Sequence, residues 1–196
     1  MTAEGNVRAW RRFLVGLFVG LSVGAVQARA EPLISEAIIN APVSEVWRLF
    51  TTDEGMESWM VAHAEIELRI GGLMRTHYDP KGVLGDANTI VNQVLSFEPE
   101  RMLSLKVVQP PANFQHPEAV RNMWTVVYFQ PLEPGMTNVR VVGLGYGDDP
   151  ASQQLKEHFR KGNAWTLEQL QKKFWPSCAL CEKDTSSATE PASTTK

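Results

Sequence analysis

The chain has 196 residues, 43% hydrophobic, with 19 Lys and Arg against 22 Asp and Glu for a formal net charge of −3. There is no internal repeat and no second-domain boundary, so the length fits one domain with a real core. Two cysteines are too few for a disulfide framework.

The first thirty residues have the three parts of a secretory leader. Arg8, Arg11 and Arg12 form a basic start, Phe13 to Val26 is an uncharged apolar run, and Ala28 and Ala30 supply an A-x-A cleavage site. At 1.5 Å per residue that run is too short for a hydrocarbon core of roughly 30 Å, which argues against a membrane anchor. Cleavage after Ala30 is expected to leave a periplasmic or secreted chain beginning at Glu31, with no stable membrane span. That chain keeps 15 basic against 21 acidic residues, a net charge of −6. It has no basic cluster, so nucleic acid is not an expected partner.

From Leu33 the pattern alternates as a short strand, and "NAPVSEVW" reads as a helix start with Asn40 as cap and Pro42 in the first turn. Val43, Val46, Trp47 and Phe50 recur at helical spacing. Thr52 or Asp53 is placed to cap a second short helix with Met56, Trp59 and Met60 on its apolar side. The period then switches to two, and successive stretches bounded by "GG", "PKG", "EPER" and "EPGM" predict about seven strands in one antiparallel sheet. "SQQLKEHFRKGNAWTLEQLQKKFW" predicts a long closing helix, its apolar stripe interrupted by Asn163 and Thr166. Gly162 lies near the same side. It is either a tolerated glycine or one that lets a neighbouring group approach the backbone. A curved sheet closed by a single helix leaves room for a cavity between the two.

Several stretches resemble the START-related SRPBCC superfamily of helix-grip proteins, in the branch named after activators of the Hsp90 ATPase. They are "INAPVSEVWRLFTTDEGMESWM", "IGGLMRTHY", "GDANTIVNQVLSFEPERMLSLKV", "WTVVYFQPLEPGMTNVRVV" and "KGNAWTLEQL". Where that branch has an adjacent Gly-Trp, Asn163 and Ala164 here separate Gly162 from Trp165. The resemblance spans nearly all of residues 34–174. It implies an α+β helix-grip domain over 31–176, with a curved antiparallel sheet wrapped on the C-terminal helix and two short helices after the first strand. It also implies a cavity for a small apolar or lipid-like ligand.

Within that cavity, ligand contacts are expected from Trp59, His63, Tyr78, Trp124, Tyr128, Phe159 and Trp165. A cyclase- or lyase-type enzyme is the alternative, with His63, Arg75 or His77 as acid–base groups. Arg75 and His77 share one strand face and Met74, Thr76 and Tyr78 the other, and alternation does not decide which is internal. The four histidines show no metal-ligand spacing, and no phosphate loop or nucleophile elbow is present, so neither metal nor cofactor is expected. Stimulation of an Hsp90 ATPase conflicts with export.

Cys178 and Cys181 form a C-x-x-C just after the closing helix, where residues 177–196 read as this motif followed by a disordered polar tail. Oxidoreductases place such a pair at a helix N-terminus, so thiol chemistry is the minor reading. In an oxidising compartment the two are expected to bond to each other or to a second chain.

Overall fold

The computed structural model describes residues 31–133 and 135–175. The leader, Cys178, Cys181 and the polar tail lie outside the described residues. Strand β1 (Leu33–Ile39) buries Leu33, Ala37 and Ile39 and exposes Ile34, Glu36 and Ile38, as its alternation predicts. Helix α1 (Val43–Thr51) starts two residues later than its sequence suggests. Pro42, not Asn40, holds the cap position without a side-chain cap bond, its ring fixing φ at −65°. Thr52 caps the short α2 (Asp53–Glu57), its Oγ1 accepting from Gly55 N–H at 3.0 Å. Trp59 and Met60 lie in the turn beyond it.

Six further strands follow: β2 (His63–Ile66), β3 (Leu73–His77), β4 (Ile90–Glu98), β5 (Met102–Gln109), β6 (Trp124–Leu132) and β7 (Met136–Leu144). A short α3 (Pro117–Val120), not expected from the sequence, interrupts them between β5 and β6. Helix α4 (Pro150–Lys173) closes the chain, capped by Asp149, whose Oδ1 accepts from Ser152 N–H at 3.0 Å. The seven strands form one antiparallel sheet in the order β1-β7-β6-β5-β4-β3-β2, so β1 and β2 are its edges. Register shifts between Val91 and Asn92 and between Val94 and Ser96 bend the middle of the sheet.

Directly paired residues share a sheet face, and this settles the two sides. The concave side carries Val139, Val127 and Leu103, then Asn92 and Met74, with Ile90 and Thr76 one pair along. The convex side carries the row Glu36, Arg140, Tyr128 and Met102, and beyond it Arg75 with Glu65 and His77 with His63. The main core lies on the concave side, where Val46, Leu49 and Met56 of the first helices and Leu167 and Leu170 of α4 are buried against the strands. A smaller cluster unites Leu33, Val120, Met123, Tyr146 and Leu155.

Two bonds tie α4 along the β1 edge. Lys156 Nζ donates to Glu31 O at 2.8 Å, and Gln171 Nε2 donates to Ile38 O at 3.2 Å. On the convex side, loop 79–89 folds over His77, which is only 3% exposed. His77 Nδ1 accepts from Asp79 N–H and its Nε2–H donates to Asp86 Oδ1, both at 3.1 Å. Asp86 also accepts from the N–H groups of Asn88 and Val83. These bonds hold its carboxyl below the usual value, the Asn88 N–H contributing most, against a smaller upward push from desolvation.

Three outcomes are expected. A methyl at Gly82 would overlap the His77 ring, which has no room to swing away, so Gly82→Ala should cost about 1–3 kcal/mol in denaturant unfolding. The depressed Asp86 carboxyl is more acidic folded than unfolded. Its contribution is therefore present above the ordinary carboxylate range, roughly pH 4, and lost as pH falls through the lowered value. Hydrogen exchange at Asn88 should follow that course in the parent and lose it in Asp86→Asn. Finally, the Tyr146 hydroxyl is buried without a partner among the described residues, and burial pushes its phenol well above the usual range. Tyr146→Phe should be neutral or stabilising by about 1 kcal/mol in thermal unfolding.

Candidate functional site

Because α4 is fastened along β1, it leaves part of the concave face uncovered over β3, β4, β5 and the start of β6. Two hollows lie there. The inner one, about 230 Å³, is lined by Phe50, Met56 and Met60 from the helical side and by Met74, Leu105, Val107 and Val127 from the sheet, with Thr76, Asn92 and Thr125 as its polar groups. The second, about 290 Å³, runs as a groove between α4 and the strand ends, where Val107, Pro110, Phe114 and Val120 face Phe159, Gly162, Asn163 and Thr166. Tyr78, Ile90, Val107 and Phe159 line both, so the two are adjoining parts of one site.

The helical residues of the groove explain the interrupted stripe. Phe159, Gly162, Asn163 and Thr166 recur at three- and four-residue steps and share one side of α4. Leu155, Leu167 and Leu170 of the same helix go into the two cores. Asn163 and Thr166 are thus placed where the helix faces a solvent-connected groove. Gly162 does not admit a neighbouring group, because a methyl built on it would meet nothing within 4 Å. Its lack of a side chain leaves space in the groove itself.

Phe114 packs edge-on against His158 at 5.6 Å between ring centroids, and His158 against Phe159 at 5.5 Å. Pro111, Phe114 and His158 line both the groove and a third hollow of about 380 Å³, whose other walls include Asn88, Asn113, Gln115, His116 and Gln154. None of the residues lining the three hollows is Asp, Glu, Lys or Arg.

The residues expected from sequence divide by location. Tyr78, Trp124 and Phe159 line the site. Trp59 is packed beside it, its Nε1–H donating to Leu49 O at 3.1 Å and its ring 5.2 Å from Phe50. Trp165 is 53% exposed on α4 and lines none of the three hollows. Tyr128 belongs to the convex face, beside Arg140 and Met102, and its placement in the cavity is corrected accordingly.

The acid–base candidates need the same correction. Strand parity places His63, Arg75 and His77 on the convex face, with the full thickness of the sheet between them and the hollows. Arg75 pairs with Glu65 at 3.3 Å and with Glu67 at 3.7 Å. His63 donates from Nε2 to Pro80 O at 3.2 Å, and His77 is fully engaged under loop 79–89. The sequence did not single out His158, Asn92 or Thr125 as site residues. A pairing register is what reveals the strand residues, and that register is absent from the sequence pattern. Among the described residues no group of three or more His, Cys, Asp or Glu is arranged to hold a metal ion, and no helix is long and apolar enough to cross a membrane.

Comparison with known proteins is consistent with this architecture. The solution structure of the Aha1 dimer from Colwellia psychrerythraea superposes with a TM-score of 0.59 at 15% identity, covering 74% of this chain and 96% of that one. A crystal structure from Mesorhizobium loti gives 0.55 at 20% identity over 73% and 98%, and one from Nitrosomonas europaea 0.53 at 22% over 79% and 96%. At these identities the likeness establishes the fold alone. No match to the sequence is found among curated proteins. Residues 40–174 match the family described as activator of Hsp90 ATPase homolog 1-like protein. With its seven-stranded sheet gripping one long helix, the chain belongs to that family, within the START-related helix-grip superfamily.

Proposed function

We propose that the mature chain is an exported binding protein that holds a small hydrophobic ligand between the sheet and α4. The observation that carries this reading is the uncovered apolar stretch of the concave face. There Met56, Met74, Leu105, Val107 and Phe159 line a hollow that neither α4 nor the first two helices fill. Covering such a surface with a ligand is favourable by roughly 25 cal/mol per Å² of apolar area removed from water. Folds of this superfamily commonly bind hydrophobic ligands. Gly162 is consistent with that use, since a helix gives up roughly 1 kcal/mol to carry glycine in its interior and here gains open groove in return.

The cyclase or lyase alternative loses its named acid–base groups, because His63, Arg75 and His77 face away from the hollow. Export rests on the basic, apolar and A-x-A segments of residues 1–30, and it places the protein in the periplasm or outside the cell. In that compartment Cys178 and Cys181 would bond to each other or between chains. Activation of a cytoplasmic ATPase would not be possible there.

Native mass spectrometry of the gently extracted mature protein should show a co-purifying small molecule, and the neutral dye Nile red should bind and be displaced by it. Gly162→Phe should weaken dye binding about tenfold or more by filling the groove, a change of about 1.4 kcal/mol. Gly162→Ala should raise stability by about 0.5–1 kcal/mol. Tyr128→Ser, on the convex face, should leave dye binding unchanged. An interior with no bound species and no dye uptake would overturn the reading.

A further inference from the structure

The third hollow differs from the other two in chemistry. It is bounded by segment 111–116 on one side and by Gln154, Leu155 and His158 of α4 on the other. The segment is held in place: Ala112 N–H donates to Ala87 O at 2.8 Å, and Phe114 N–H to Pro111 O at 3.0 Å. His116 adopts a left-handed conformation, φ 60° and ψ 52°, which for a non-glycine residue costs roughly 1 kcal/mol. Its Nε2–H donates to Gln154 Oε1 at 2.8 Å, bridging the segment to the helix.

With its oxygen so used, Gln154 still has its NH₂ group. The carboxamides of Asn88, Asn113 and Gln115 make no hydrogen bond to another described residue. Donors and neutral acceptors are thus gathered at one end of the site, while the groove and inner hollow that continue from it past Phe114 and His158 are largely apolar. The polar side chains of this end are largely exposed, so a head group keeps part of its water there. An ionised one would lose the rest with no counter-charge on any wall, whereas a neutral one replaces it with hydrogen bonds. A carboxamide, by contrast, offers both a donor and an acceptor to a hydroxyl, ester or amide.

Building on the binding function proposed above, we infer that the ligand is an uncharged amphipath. Its hydrogen-bonding head lies among Asn88, Asn113, Gln115, His116 and Gln154, and its apolar body follows the groove along α4 past Phe159 and Gly162. Long-chain alcohols, primary amides and monoacylglycerols belong to this class. Fatty acids and alkylammonium ions of the same chain length do not.

The test is displacement of Nile red from the mature protein at pH 8 by a set with one chain and different heads: alcohol, primary amide, carboxylate and trimethylammonium. The alcohol and amide should displace the dye at concentrations about tenfold lower than the carboxylate and the ammonium. Gln154→Lys, an exposed helix substitution compatible with folding, should reverse the order in favour of the carboxylate. Gln154→Leu should weaken the alcohol and amide relative to the dye itself. If the dye binds but the carboxylate or the ammonium displaces it as well as the neutral compounds do, the inference is overturned and the binding function stands. If the dye does not bind and Gly162→Phe changes nothing, both are overturned.

Discussion

The width of the sheet against the width of one helix is the constraint from which the rest follows. Seven strands at about 4.8 Å spacing span about 30 Å, whereas a helix with its side chains is about 10–12 Å across. One helix therefore cannot cover this concave face. Its position is fixed by the β1 edge, where Lys156 and Gln171 reach the backbone oxygens of Glu31 and Ile38. The first two helices bury Val46, Leu49 and Met56 on the same face, and what stays open lies over β3 to β5. The cavity is a consequence of geometry before it is a matter of particular side chains.

An open apolar surface of this kind is tolerable only if its polar groups need no strong partners. The strand residues that interrupt it are Thr76, Asn92 and Thr125, and α4 contributes Asn163 and Thr166. All are neutral, and each exchanges hydrogen bonds with water or a ligand at modest net cost. The ion pairs keep to the outside. Glu36 with Arg140 and Arg75 with Glu65 stand on the convex face, where their desolvation is small and their net contribution correspondingly slight. Among the strand residues, charge is segregated to one side of the sheet.

The periodicities carried most of this architecture into view. Helical spacing after Pro42, the change to period two from Ala64, and the 24-residue closing pattern correspond to α1, the meander and α4. Alternation divides a strand into two sets but does not name the inner one. For β3 the apolar content favoured neither set, since Arg75 and His77 are balanced by Met74, Thr76 and Tyr78. For β6 the aromatic bulk of Trp124 and Tyr128 suggested one inner set, but only Trp124, at the start of the strand, lines the site, and Val127 and Phe129 are the ones in the core. Only pairing across the sheet, from Val141 through Val127 to Leu103, fixes the parity. The interrupted stripe of α4 was the one local signal of the site, and Asn163 and Thr166 mark it.

The convex-face histidine nevertheless bears on the cavity, by a route that runs through backbone. His77 is held beneath loop 79–89 by Asp79 and Asp86. Asp86 Oδ1, which accepts from the His77 ring, also accepts from the N–H of Asn88 at 2.8 Å. The loop in turn offers Ala87 O to Ala112 N–H, so segment 111–116 is positioned from the same structure. Asn88 and that segment form two walls of the polar hollow. Loss of the His77 ring would remove one of the bonds that hold Asp86 and would leave the turn that presents Asn88 resting on those from Val83 and Asn88. A histidine that acts in this way needs no access to the ligand. Its burial, which hides it from chemistry, is what makes it a fixed point for the loop.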